Sequence, residues 1–258
     1  MRRLCLCLLL LVTFVLPARA AEEIVVGVTP FPHKDIMLKA KPLLEKEGYK
    51  LVLKEFTDYV QPNLALASKL LFANFFQHEP YLENMNKEKN LKLVSIGKVH
   101  IEPLGVYSKK LVKLEDLKKG DSISVPNDPT NEARALRLLE AHGVIGIKPG
   151  SLVTVADIVT NPLNIKFHEL EAAQLPRALD DVTCAVINTN FACEAGLIPT
   201  RDALAIESSD SPYANVLVIR EEDENSPKAK ALLKAVQSLE VRVFIEKELT
   251  SKGIVPAF

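Results

Sequence analysis

Short apolar runs and amphipathic stretches alternate along almost the whole chain. Residues 24–28 form an apolar run closed by Pro30-Phe31-Pro32, and residues 33–46 follow with helical spacing as far as Gly48. Residues 50–56 alternate in polarity and predict a strand, while 62–71 carry Leu64, Ala67, Leu70 and Leu71 on one helical face. A strand at 73–76, a helix from Pro80 and a strand at 91–96 complete the first hundred residues. The pattern then repeats. Strand 121–125, helix 129–142 stopped by Gly143, strand 164–168, helix 171–179 interrupted by Pro176, strand 182–187 and helix 189–195 stopped by Gly196 follow one another. Strands at 203–207 and 213–219 precede a helical tail over 228–240, opened by Ser226-Pro227 and apolar at Ala231, Leu232, Ala235, Val236 and Leu239. This alternation predicts an α/β protein with largely parallel, helix-covered sheets. The stretches 104–110 and 208–213 read as crossings between two lobes, giving a hinged clamshell with a ligand cleft.

The first 20 residues stand apart. Met1-Arg2-Arg3, an apolar run over 4–16 and the ending Ala18-Arg19-Ala20 describe a cleavable export signal (1–20) and a mature chain starting at Ala21. The run is shorter than the ~20 residues a membrane span needs. The expected organisation is a first lobe over 21–108, a second over 109–208, and a return to the first over 209–258. Without the signal, 29 basic residues stand against 33 acidic ones, which gives no electrostatic case for nucleic acid. Cys184 in a strand and Cys193 on the next helix are expected as buried thiols rather than a disulfide.

The segment Ser124-Val125-Pro126-Asn127-Asp128-Pro129-Thr130-Asn131-Glu132-Ala133-Arg134 reads as a strand end, a turn and a helix start. Asp128 suits the N-cap and Pro129 the first helical position, so the free N–H groups of that turn favour an anion. Arg134, one turn on, can offer a planar fork to a carboxylate. A capped surface helix with a solvated Arg would show the same residues.

Three further segments fall beyond strand ends, where open α/β sheets hold ligands. Residues 56–63 and 73–81 supply Tyr59, Phe76, His78 and Tyr81, flat faces that suit an unbranched or thioether side chain. Strand alternation sends Phe75 and Phe76 to opposite faces, so one of them belongs to the core. Asn188 and Asn215 end or precede strands, and their amide oxygens can accept from an ammonium group; capping or turn duty is the ordinary use of such Asn residues. No phosphate loop, nucleophile elbow or helical metal pair is present, and the five His residues are scattered. The expectation is a binding protein, not an enzyme, with neither cofactor nor metal.

Five blocks carry a resemblance. They are Phe56-Thr57-Asp58-Tyr59-Val60-Gln61-Pro62-Asn63, Phe76-Gln77-His78-Glu79-Pro80-Tyr81-Leu82, Val125-Pro126-Asn127-Asp128-Pro129-Thr130-Asn131, the stretch Leu170-Glu171-Ala172-Ala173-Gln174-Leu175-Pro176-Arg177, and Ser211-Pro212-Tyr213-Ala214-Asn215. Through them the chain resembles the methionine-binding proteins of bacterial ABC importers, the NlpA lipoprotein family. The resemblance implies a type II periplasmic-binding-protein clamshell with a two-strand hinge, closing on methionine or a similar ligand. It implies that Arg134 holds the carboxylate with help from Asn131. Asn188 and Asn215 would bind the polar end, and Tyr59, Phe76, His78 and Tyr81 would line the side-chain pocket. It further implies a monomer in the periplasm serving an inner-membrane permease and its ATPase. Two features depart from the family: no cysteine for lipid attachment ends the signal, and Lys69-Leu70-Leu71-Phe72-Ala73-Asn74 replaces a Gly-acid-Asp pattern before the aromatic block. Another amino acid, a Gly-Met-type dipeptide, or a surface interaction protein or adhesin are the alternatives.

Overall fold

A computed structural model of the chain describes residues 21–208 and 211–258. The expected export signal at 1–20 lies outside the described residues. Among those described, no helix is long and apolar enough to cross a membrane.

Chain order begins β1 (Glu22–Val28), α1 (His33–Lys46), β2 (Tyr49–Glu55), α2 (Gln61–Ala67), β3 (Ala73–His78), α3 (Glu79–Lys89) and β4 (Leu93–Ile101). It continues with β5 (Gly105–Tyr107), β6 (Ser122–Pro126), α4 (Pro129–Ala141), β7 (Gly146–Ile147), β8 (Ile158–Thr160), β9 (Lys166–Leu170), α5 (Leu175–Ala178) and β10 (Cys184–Ile187). The last elements are α6 (Thr189–Glu194), α7 (Pro199–Asp202), β11 (Ala205–Ile206), β12 (Ala214–Arg220), α8 (Pro227–Val236), α9 (Leu239–Phe244) and β13 (Val255–Pro256). One sheet has the order β13-β4-β12-β3-β1-β2 and another β11-β5-β10-β6-β9; β7 and β8 form a separate pair. In the first sheet β1 runs parallel to β2 and β3, and β12 is antiparallel to both its neighbours. In the second, β6 runs parallel to β9 and β10, and β5 is antiparallel to β10. The fold is a two-domain α/β arrangement, as the alternation predicts, but the expected largely parallel pairing is corrected. β5 pairs antiparallel with β10 and β11, and β12 with β3 and β4, because each enters its sheet from the other lobe rather than through a helical crossover; β13 also pairs antiparallel with β4.

Period-2 alternation makes each sheet the floor of two cores. On β12, Leu217 and Ile219 face the core shared with Ile24, Val26, Ile36, Met37 and the tail helix α8. Val216 and Val218 face the opposite core with Leu66, Leu82 and Leu93. On β10, Cys184 and Val186 join Ile123, Val125 and Leu136, while Ala185 and Ile187 join Leu175, Leu179 and Phe191. Each fully buried aliphatic side chain contributes roughly 1.5–3 kcal/mol. Both cysteines are free thiols, Cys184 buried and Cys193 partly so.

Four local readings are corrected. The helix expected over 62–71 ends at Ala67, because Lys69 adopts a left-handed φ of 65°; Leu70 is left exposed while Leu71 turns into the core. The helix expected over 171–179 is a 3-10 turn followed by the single turn α5. The tail helix breaks at Ser238, whose hydroxyl accepts from the Val241 N–H and starts α9. The strand expected over 91–96 continues to Ile101, because β12 pairs with it through two bulges.

Two passages of chain join the sheets, 102–104 between β4 and β5 and a second between β11 and β12, described at 207–208 and 211–213; the expected crossing at 208–213 lies in part outside the described residues. Gly105–Tyr107 already pairs within the second sheet, so the first crossing lies ahead of the expected 104–110 and of the boundary drawn at 108. The crossings are bonded to each other. The Glu207 N–H donates to the Leu104 carbonyl (2.9 Å), and the Leu104 N–H donates to the Glu207 carboxylate (2.9 Å).

Candidate functional site

Beside these crossings lies a cleft of about 360 Å³, walled by the end of β3, the starts of α4 and α6, and Glu102. All eight residues named from the sequence line it: Tyr59, Phe76, His78, Tyr81, Asn131, Arg134, Asn188 and Asn215. Gln77, Glu102, Thr189 and Asn190 join them without having been anticipated.

One end of the cleft is aromatic. Tyr59 stands 6.0 Å from the rings of Phe76 and Tyr81 and 5.1 Å from Phe191 across the cleft. Phe76 takes the cleft side of β3, and Phe75 is fully buried in the core, edge-on to His33. Local bonds hold the rings. The Tyr81 hydroxyl donates to the Tyr59 carbonyl (2.9 Å), and the Tyr59 hydroxyl donates to Asn190 Oδ1 (2.6 Å). His78 caps α3: its Nδ1 accepts from the Tyr81 N–H at 3.1 Å. The other nitrogen, Nε2, therefore carries the proton and donates to Asn131 Oδ1 (3.0 Å). Burial, reinforced by the Arg134 charge, pushes His78 down to about 3, so the ring is neutral.

The other end is polar, and α4 supplies its centre. Asp128 accepts from the Asn131 N–H (3.0 Å), as an N-cap should, with Pro129 at the first helical position. That start aims Arg134 at the crossings. Its Nε donates to both oxygens of Glu207 (2.7 and 2.9 Å), and its Nη2 donates to Glu207 and to the Glu102 carbonyl (2.6 Å). The guanidinium also lies 4.5 Å from the Tyr213 ring centre. The two-point fork expected for a ligand carboxylate is thus engaged by Glu207, a residue of the chain itself, and these bonds leave Nη1 over.

The amides divide sharply. Asn131 is saturated, because Nδ2 donates to both Asp128 oxygens while Oδ1 accepts from His78 and from Asn188 Nδ2 (3.1 Å). Asn215 Oδ1 lies 3.0 Å from His33 Nε2. Asn188 Oδ1 and Asn190 Nδ2, in contrast, are buried on the cleft wall with no partner among the described residues. A buried acceptor and a buried donor left unmatched on the same wall call for a ligand that offers both polarities.

Beneath this end, His33, His100 and Glu102 bring one ligand atom each within 4.8 Å of one another, the group among the described residues that could hold a metal. Glu102 Oε1 lies 2.7 Å from His100 Nε2 and 3.3 Å from His33 Nε2. Burial pushes His33 down to about 4 and His100 to about 3, and pushes the Glu102 carboxyl above its ordinary range. Sequence spacing conceals this group, since His33 comes from α1, His100 from the end of β4 and Glu102 from the crossing just beyond it. The signal available was His100-x-Glu102, which on a strand places both side chains on one face. Asn190 had no such signal, since it lies on the first turn of α6, where residues two apart do not share a face.

The profile of the NlpA lipoprotein family matches residues 24–258. The chain is 46% identical over 224 residues to outer membrane lipoprotein 3 of Mannheimia haemolytica, covering 86% of this chain and 85% of that one. It is 48% identical over 201 residues to the D-methionine-binding lipoprotein MetQ of Salmonella typhi, covering 76% and 74%. The solved structure of a nutrient binding protein from Burkholderia cenocepacia bound to methionine superposes with a TM-score of 0.88 at 48% identity, covering 91% of this chain and all of that one. The chain belongs to the NlpA lipoprotein family.

Proposed function

We propose that this protein is the capture component of a methionine importer. It binds methionine between its lobes and hands it unchanged to a membrane permease driven by an ATPase. The observation that carries this reading is the unmatched pair at the polar end, Asn188 Oδ1 and Asn190 Nδ2, facing an aromatic wall across a cleft of about 360 Å³. An amino-acid zwitterion supplies an acceptor for the donor and a donor for the acceptor. An unbranched thioether fills the space among Tyr59, Phe76 and Tyr81, where sulfur contacts ring edges favourably. The relatives support this choice, one named for D-methionine and one solved with methionine bound.

Within that reading, Arg134 offers Nη1 to the ligand carboxylate. Asn188 accepts from the ammonium group, while Asn215 and Asn131 hold His33, His78 and Asn188 in place. The lobes, 21–108 with 209–258 and 109–208 with its edge moved to the 102–104 crossing, close over the ligand and exclude water. The protein acts as a monomer after export and makes or breaks no bond.

Mass spectrometry of whatever is released on denaturing the purified protein tests the ligand; methionine, one per chain, is the expected result. A thermal-shift panel on ligand-stripped, refolded protein extends the test. L-methionine, and D-methionine if the cleft tolerates inversion, should raise the melting temperature in proportion to the logarithm of concentration above Kd. Glutamate and lysine would bury an unpaired charge and should shift it little. A larger shift with a charged or branched amino acid overturns the assignment.

A further inference from the structure

Glu102, in the first crossing, lines the cleft and is buried, at 6% exposure. Its nearest side-chain neighbours are two imidazoles, at 2.7 and 3.3 Å, and the Asn190 backbone N–H also donates to it. Among the described residues no lysine pairs with it. Arg134 is paired with Glu207 and bonds Glu102 only at the backbone carbonyl, though its charge also acts on the Glu102 carboxylate. A buried carboxylate without a direct Lys or Arg ion pair is costly. On the same wall, Asn188 Oδ1 is the orphaned acceptor. The polar end therefore holds two acceptors seeking a positive donor, one of them ionisable, and a separate arginine already half neutralised.

We propose that Glu102 receives the α-ammonium group of the ligand, with Asn188 Oδ1 as its second acceptor, and that this pair makes the site selective for free α-amino acids over des-amino acids of the same length. The inference rests on the methionine reading above and names the group that reads the amino end. His100 holds the carboxylate, its Nε2 lying 2.7 Å from Oε1, while His33 Nε2, 3.3 Å from the same oxygen, is bonded to Asn215 Oδ1 at 3.0 Å and its Nδ1 to Thr29 at 2.6 Å. Charge division follows from the geometry. The carboxylate of the ligand belongs to the Arg134 Nη1 and Asn190 Nδ2 side, and its ammonium belongs to the Glu102 and Asn188 Oδ1 side.

The test is calorimetry on ligand-stripped protein with two probes, methionine and 4-(methylthio)butanoate, which lacks the amino group. Wild type should prefer methionine by at least about thirtyfold, the scale of a buried charge pair. Glu102→Gln, folded by circular dichroism, should lose most of that preference: methionine weakens while the des-amino acid holds its affinity or gains. Asn188→Ala should lose a smaller share. An undiminished preference in Glu102→Gln overturns the inference and leaves the proposed function standing; failure of wild type to bind either probe overturns both. Should Glu102→Gln not fold, a crystal structure of the wild-type complex decides the point. An ammonium nitrogen within hydrogen-bond distance of the Glu102 carboxylate supports the inference, and one turned toward Arg134 overturns it. Stoichiometric zinc retained by purified wild type and lost in His100→Ala would also overturn it, since the carboxylate would then have its cation.

Discussion

The two ends of the cleft are built on different principles. At the aromatic end, Tyr59, Phe76, Tyr81 and Phe191 meet at ring distances of 5.1–6.1 Å and enclose a shape with few directional demands. At the polar end nearly every atom is committed in advance: Arg134 to Glu207 and Glu102, Asn131 to Asp128, His78 and Asn188, Asn215 to His33. The few atoms left over therefore define what can bind. A shape can be filled by several side chains, and discrimination by one methylene is worth only ~1–3 kcal/mol. Unmatched polar atoms in a dry cleft accept only the complementary head group. Identity of the head should be enforced strictly, and identity of the side chain loosely.

The largest expected effect breaks the polar end. Arg134→Ala should cost roughly 2–5 kcal/mol of methionine affinity by calorimetry. It also strands the Glu207 carboxylate, so the melting temperature of the empty protein should fall as well. Arg134→Lys should recover only part of either, because a point charge cannot span Glu207 and the Glu102 carbonyl together. Unchanged affinity in Arg134→Ala would refute the directional account.

Next comes the aromatic wall. Phe76→Ala should weaken methionine by about 1.5–3 kcal/mol, the worth of one buried apolar side chain, while affecting alanine little. Equal losses for both ligands would mean that the ring supports the fold rather than the side chain. A smaller effect, about 1–2 kcal/mol, is expected for Asn188→Ala, and it should fall on every amino acid alike. Comparing Phe76→Ala with Asn188→Ala across a ligand panel sharpens the contrast between shape and head group.

The smallest effect concerns protons. His33, His78 and His100 have pKa values pressed to about 4, about 3 and about 3 by burial. Their imidazole resonances should stay in the neutral form on acidification from pH 7 to pH 5. The unfolded chain binds protons at these rings near pH 6.5 and the folded chain does not, so their contribution to stability falls as pH drops from about 6.5 toward 4. Glu102, raised by burial, acts in the opposite sense above its unfolded pKa of about 4.5. His100→Gln should reduce the acid sensitivity of the melting temperature; an unchanged pH profile would remove His100 from the account.

Much of this contrast was legible in the chain because it is local. Asp128, Pro129 and Arg134 are spaced by helix geometry, and Phe75 and Phe76 are divided by strand alternation, so cap, arginine and cleft-facing ring follow from neighbours in sequence. The alternation of elements carried the sheet architecture for the same reason. The resemblance, rather than periodicity, singled out Asn215 and Asn188 from other turn residues. What stayed hidden is non-local. Glu207 pairs with Arg134 across 73 residues and His33 with Asn215 across 182, and no pattern within one element announces either. Helix ends were misjudged where a single residue decides, as at Lys69 with its positive φ and at Ser238 with its cap.

The paired crossings have a mechanical consequence. Leu104 and Glu207 exchange two bonds, one through the backbone carbonyl and one through the carboxylate that also grips Arg134. Two separate tethers would let the halves slide and twist independently. Laced together at Leu104 and Glu207, they are expected to bend as a single strap, which would confine separation of the sheets to one swing. Because Arg134 is fastened to that strap, a molecule drawing on its remaining nitrogen pulls at the axle of the swing itself. A swing about that strap would be felt least at the head group and most at the far rim of the cleft.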